Sequence, residues 1–243
     1  MFVQKETMSK VIHRAETRGF ANHGWLQSYH SFSFAGYTNP ERIHFGALRV
    51  LNDDTVAAGM GFSTHAHSNM EIISIPLAGD LEHRDSMGTV SVIQQGDIQV
   101  MSAGSGIQHS EYNKNKDKPV KFLQIWIIPN KHNVTPRYGQ LTLDKNAARN
   151  TLQQIISPNP EGEGLWIHQE AWFYLATLEE GKALNYSIRE GNGLYIFVLE
   201  GNVRVDDDHL SSRDGLGLWN QSACSLEGES TATILFMEVP MTI

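Results

Sequence analysis

The sequence predicts an all-β protein built as two antiparallel barrels in one chain. Three observations carry that prediction: short apolar runs separated by turns, an internal repeat at half the chain length, and a His/His and a His/Glu pair at strand spacing. The runs in the first half are FGALRV at 45–50, EIISIPL at 71–77, TVSVI at 89–93 and FLQIWII at 122–128. In the second half they are LWIHQ at 165–169, LYIFVL at 194–199 and TATILFMEV at 231–239. They are rich in β-branched and aromatic residues, and helix periodicity is scarce. Asp85-Ser-Met-Gly88 and Glu200-Gly-Asn202 read as hairpin turns. Many short strands with Gly-bearing turns suggest antiparallel barrels or sandwiches.

The repeat favours two barrels. Gly59 lies over Gly181 and Gly79 over Gly201 without a gap, an offset of 122 residues. IISIPLAG at 72–79 then falls on LYIFVLEG at 194–201. Residues 130–162 are polar, carry Pro136, Pro158 and Pro160, and read as a linker whose parts can pair with either barrel. The expected division is a first barrel within 1–140, then linker and second barrel within 141–243.

Composition sets the outer bounds. The chain has 243 residues, 40% hydrophobic and 19% charged, which is globular and long enough for a sizeable core. A net charge of −8 argues against nucleic acid or an anionic membrane surface as direct partners. No apolar run approaches a membrane span, and MFVQKETMSK shows no leader. A single cysteine, Cys224, forms no internal disulfide, which fits a cytoplasmic location; it reads as a small packed residue.

The chemistry concentrates between Gly59 and Asn113. His65-Ala-His67 and His109-Ser-Glu111 each stand at spacing i, i+2, which puts both side chains on one face of a strand. Two such strands side by side aim three imidazoles and one carboxylate at one point. That set suits Fe(II), Mn(II), Ni(II), Cu(II), Co(II) or Zn(II). Four protein ligands in an octahedron leave two positions open, as a catalytic site requires. Glu111 is the one carboxylate of the set, so it is also the candidate general base. In the second half Ser187 lies over His65 and Arg189 over His67, and Gly215–Gly228 holds no histidine to match His109. The second barrel is expected to bind no metal. His23, His30, His44, His83, His132, His168 and His209 lack ligand spacing and read as surface or hydrogen-bonded core residues.

The pattern Gly59-x5-His65-x-His67-x3-Glu71-x7-Gly79, followed by Gly96-Asp97 and Gly106-x2-His109-x3-Asn113, resembles the two motifs of the cupin superfamily. Cupins place a glutamate ligand with six residues before the closing glycine, a position held here by Ile72. Glu71 is one residue early, and one residue on a strand turns a side chain to the other face. Glu111 can replace it. His-x-His followed by His-x-Glu resembles the pirin family, and so do Arg18–Phe34, Phe45–Asp53, Met101–Glu111 and Thr135–Tyr138. The likeness is dense over 12–140 and nearest to bacterial pirin-like quercetin 2,3-dioxygenases.

The resemblance implies a bicupin of two jelly-roll barrels, the first holding one divalent transition metal, Fe(II) first among them. It implies a metal-dependent dioxygenase that opens the flavonol ring of quercetin-like substrates with loss of carbon monoxide. The alternative it carries is a regulatory or redox-sensing metalloprotein acting on a protein partner. Two barrels in one chain resemble a fused dimer, so a monomer is expected.

Overall fold

The computed structural model of the chain describes residues 9–243. The segment MFVQKETM, most of the stretch inspected above for a leader, lies outside them. Among the described residues the one helical turn is the 3-10 segment Ala15–Thr17, and no helix is long and apolar enough to cross a membrane. Each apolar run contains a strand, for instance Glu71–Ala78, Val120–Ile127, Asn192–Glu200 and Ala232–Pro240.

The strands form two barrels with one shared plan. The first large sheet runs, in spatial order, Arg137–Thr142, Asp97–Ser102, Glu71–Ala78, Val120–Ile127, Leu48–Val56, Leu26–His30 and Gly19–Asn22. Its small sheet runs Gly61–His67, Ile107–Asn113, Leu81–Asp85 and Val90–Ile93. The second large sheet runs Ser9–His13, Gly215–Trp219, Asn192–Glu200, Ala232–Pro240, Trp172–Leu178, Gln153–Ser157 and Leu165–Trp166. Its small sheet runs Ala183–Ser187, Ala223–Gly228, Asn202–Val205 and Asp208–Ser211. The five central strands of each large sheet and all four of each small sheet follow the same order, as a repeat requires; at the far edge Leu165–Trp166 pairs parallel to its neighbour, whereas Gly19–Asn22 pairs antiparallel.

At the opposite edges one outer strand crosses the expected division, and the other is a linker part that pairs with the first barrel. Ser9–His13 pairs with Gly215–Trp219, so the first described strand of the chain belongs to the second barrel. Arg137–Thr142, inside the expected linker, pairs with Asp97–Ser102 of the first. Each large sheet thus has one edge covered by a strand from outside its own repeat. Glu200-Gly-Asn202 also differs from expectation. It joins strands of different sheets and is a corner, not a hairpin. Gly201 has φ +80°, and a Cβ there would stand 2.2 Å from the Thr231 carbonyl oxygen.

The core has two large zones. Leu51, Ile73, Val100 and Ile125 of the first large sheet meet Phe173, Tyr195, Phe197 and Met237 of the second in a continuous apolar seam. Ile196, Val198, Val203, Leu216, Leu226 and Phe236 fill the second barrel. Asn192–Glu200 is therefore apolar on both faces, which is why LYIFVL shows no alternation. The first barrel is different. Ser74 and Gln124 interrupt the apolar runs of the equivalent strands, and both are buried on the inward face, beside Glu111.

The seam should dominate stability. Phe197→Ala, at a site 1% exposed, is expected to cost about 3–5 kcal/mol in urea unfolding. A loss under about 1 kcal/mol would deny the seam that role.

Candidate metal centre

A bulge aims the first His pair. On the antiparallel ladder His109 faces His65, but Glu111 faces Phe62, so Gly61–His67 carries one extra residue between them. Phe62 points inward, onto an apolar cluster with Leu81 and Phe122. Strict alternation from Phe62 would send Thr64 and Ala66 inward; the extra residue sends His65 and His67 instead. The equivalent strand Ala183–Ser187 pairs without a shift. There Tyr186 is buried and Ser187 is exposed. Ser187 matches His65 by sequence count but not by face.

The imidazoles converge. Ring centroids of His65 and His109 lie 4.4 Å apart, His65 and His67 4.8 Å, and His67 and His109 5.0 Å. One ligand atom from each of the three lies within 4.8 Å of the others. His65 Nδ1 is 2.8 Å from the Ser63 carbonyl oxygen. A carbonyl only accepts, so the proton sits on Nδ1 and leaves Nε2 as a lone-pair donor. His109 is buried and neither ring nitrogen has a hydrogen-bond partner. Burial, then the neighbouring imidazoles, pushes His109 down to about 2, and the same causes push His67 down to about 4. Both are neutral, ligand-ready bases at ordinary pH.

Glu111 stands on the same strand and is also buried. Ser74 Oγ donates to its Oε1 at 3.0 Å and Gln124 Nε2 to its Oε2 at 2.8 Å. Both donors are neutral, and burial pushes this carboxyl up to about 7. Glu111 groups with His109 and with a residue that spacing did not single out, His83, again within 4.8 Å. His83 faces Glu111 across the ladder from Leu81–Asp85. Its Nε2 lies 3.0 Å from Asp85 Oδ2 and its Nδ1 has no partner. Burial lowers the His83 pKa although Asp85 opposes this, so the neutral ring donates through Nε2–H and keeps a free lone pair on Nδ1. The sequence signal was His83-x-Asp85, another pair at strand spacing. The two triads share His109, and their unbonded buried nitrogens fit a divalent metal.

Glu71 points the other way. It is buried, accepts a hydrogen bond from Ser102 Oγ at 2.7 Å, and lies near Arg137. Ile72 is the inward residue, packed with Met101 and Ile107. The one-residue register argument therefore holds, with Glu71 in the barrel wall and not on the surface. Gly104 has φ +48° and would place a Cβ 2.0 Å from the Val134 carbonyl oxygen, a close approach in the turn that leads into Ile107–Asn113.

The His65–His67 side of the cluster opens on a cavity of about 350 Å3 walled by Trp25, Phe34, Phe62 and Trp126. Trp126 packs edge-on against His67 at 4.9 Å. In the second barrel an internal ion pair stands in the place of the cluster. Buried Glu238 accepts from Tyr186 Oη at 2.7 Å and Asn192 Nδ2 at 2.8 Å, and pairs with Arg189 at 2.7 Å. Arg189 in turn lies over the Trp172 ring at 3.8 Å. Among the described residues no metal-type cluster occurs there.

Comparison with known proteins covers both barrels. The family described as Pirin matches residues 11–127, and the Quercetinase C-terminal cupin domain matches residues 154–239. Quercetin 2,3-dioxygenase of Escherichia coli (strain K12) is 40% identical over 229 residues, covering 94% of this chain and 98% of that protein. A pirin-like protein of Caulobacter vibrioides is 35% identical, covering 90% and 95%. The crystal structure of the bacterial pirin YhhW in complex with nickel(II) from Escherichia coli superposes with a TM-score of 0.92 at 38% identity, covering 97% of this chain and 100% of that one.

Two measurements check the site. The His65→Ala/His109→Ala double variant should lose stoichiometric metal while its far-ultraviolet dichroism stays β-type; retained metal would refute the assignment. Glu71→Gln should leave metal content unchanged. Burial raises Glu71 to about 7, so its native contribution is full below the unfolded carboxyl value and is lost as pH rises through about 7. The Gln variant should gain on wild type over that window, by up to about 3 kcal/mol. Metal lost on this change would mean Glu71 reaches the site.

Proposed function

The chain belongs to the pirin family, and we propose that it is a metal-dependent dioxygenase opening the heterocycle of flavonols such as quercetin. The reading rests chiefly on one observation: three convergent imidazoles, two of which, His65 and His67, line an aromatic-walled cavity. We assign His65, His67, His109 and Glu111 as the ligands of one divalent transition metal, with Fe(II) the first to test and Ni(II) the metal of the bacterial pirin structure. When bound, that ion would supply Lewis acidity to a flavonol 3-hydroxyl and 4-carbonyl and positions where substrate and dioxygen meet.

The chain's own residues do the rest. Trp25, Phe34, Phe62 and Trp126 offer flat apolar walls to a planar substrate and exclude water from it. Glu111 takes the hydroxyl proton. It is the one carboxylate of the assigned ligand set, which makes it the base nearest the hydroxyl that the ion would acidify. Ser74 and Gln124 hold its two oxygens, so the base stays oriented as it gains and loses the proton. The substrate enolate left behind is electron-rich and reacts with dioxygen, losing carbon monoxide.

Oxygen uptake by metal-loaded protein should depend on quercetin and release carbon monoxide. No quercetin-dependent uptake with Fe, Mn, Ni, Cu or Co would reject the reading. Glu111→Gln should keep much of its metal while turnover falls by about 10²-fold or more. Full metal with near-native turnover would remove Glu111 as the base.

A further inference from the structure

A second chamber adjoins the metal cavity. It measures about 550 Å3 and shares Trp25, Phe34, Phe62 and Gln124 with the metal cavity. Tyr37 and Phe20 complete its aromatic walls. Phe34 sits at the partition, with its ring edge-on to Trp126 at 5.3 Å and 5.5 Å from the His30 ring. Gln124 bridges the two spaces: it lines both and donates to Glu111.

The wall of this outer chamber carries a polar cluster that the chemistry at the metal does not use. Asp54 on Leu48–Val56 faces Ser28 on Leu26–His30 across the ladder. Ser28 Oγ donates to Asp54 Oδ1 and lies 3.3 Å from His30 Nδ1. Both Asp54 and Ser28 line the chamber, and both are nearly buried. No Lys or Arg compensates Asp54, and its carboxyl is raised to about 7 by burial. A carboxyl among aromatic rings without a cation is costly to fold. The same group is well suited to a ligand that offers hydroxyls between flat apolar faces.

We infer that the outer chamber is a subsite for a hydroxylated aromatic ring, and that Asp54, with Ser28, selects ligands bearing adjacent ring hydroxyls. A catechol presents two O–H groups to neighbouring acceptors at the chamber wall, while its ring stacks against Tyr37, Phe34 and Trp25. Asp54 accepts from one hydroxyl and Ser28 Oγ from the other. The two cavities lie side by side and share four lining residues, an arrangement that fits one elongated ligand reaching both Asp54 and the His65–His67 pair. That orientation rests on the flavonol reading above: the hydroxy-ketone end faces the metal and the pendant ring enters the outer chamber. Recognition of the ring itself does not rest on it.

The test is equilibrium binding, followed by tryptophan fluorescence because Trp25 lines both spaces. Full-length protein, metal-free and metal-loaded, is titrated with quercetin, kaempferol and galangin, which carry two, one and no hydroxyls on the pendant ring, and with catechol and benzylammonium. Wild type should bind quercetin about tenfold more tightly than galangin, the scale of one added hydrogen bond to a carboxyl, and catechol more tightly than benzylammonium. In Asp54→Asn, which keeps shape and neutral polarity, the quercetin-to-galangin ratio should shrink, and in Asp54→Ala it should fall to about unity. Equal binding of the three flavonols by wild type, an equal loss for all three in the variants, or preference for benzylammonium would each overturn the inference. Discrimination without any turnover would sink the dioxygenase reading and leave the subsite standing. Turnover without discrimination would do the reverse.

Discussion

The apolar seam between the two seven-stranded sheets is the constraint on which the rest of this molecule depends. A single barrel of this size would ordinarily be stabilised by filling its own interior. Here the outward faces of both large sheets are buried against each other, and the second barrel is packed with aliphatic side chains besides. Those two zones hold the larger share of the apolar core, and the first barrel's interior carries only two smaller clusters. It can therefore hold Ser28, His30, Asn52, Asp54, Ser74, Glu111 and Gln124, all buried, and keep open space beside them. Polar residues in a barrel interior cost stability unless they are bonded. The seam lets the chain tolerate that cost, and the exchanged strands Ser9–His13 and Arg137–Thr142 each cover one edge of a large sheet.

Within the first barrel, the decisive local feature is one extra residue. The bulge between Phe62 and His65 changes the phase of the strand after its apolar anchor. Phe62 keeps its place beside Phe122, and the two histidines turn inward. The second barrel keeps the regular ladder at the equivalent strand, and Tyr186 takes the inward position, stacked on Phe236 at 5.6 Å. Loss of the ligands and loss of the bulge therefore go together. Restoring His at 187 and 189 would not by itself rebuild a site, because Ser187 faces outward.

Much of this was legible in the residues. The apolar runs, the repeat and the i, i+2 ligand pairs concern local periodicity, which a strand converts directly into faces. The displacement of Glu71 was legible for the same reason, since it needed only a count of one residue. What was not legible depends on partners distant in sequence. His83 joins the cluster because Leu81–Asp85 pairs with Ile107–Asn113, and its spacing to Asp85 alone could not say so. The covering of the second sheet by Ser9–His13 joins residues about two hundred positions apart. Gly201 marks a turn in either reading, but only the sheet assignment makes that turn a corner.

Charge compensation separates the two interiors most sharply. Each holds a buried glutamate bonded by neutral donors: Glu111 by Ser74 and Gln124, Glu238 by Tyr186 and Asn192. Glu238 also has the Arg189 guanidinium, itself seated on Trp172, so its negative charge is balanced within the fold. Glu111 has no such cation among the groups that act on it, and its carboxyl rises to about 7. Beside it lie buried imidazole nitrogens with lone pairs and no bonds. A proton can satisfy Glu111 but not His109, whose burial disfavours the charged ring. A divalent cation satisfies the carboxylate and the imidazoles at once. The second barrel balances its buried carboxylate with an arginine of its own; the first holds no such cation beside Glu111, and its donor set fits an exchangeable ion.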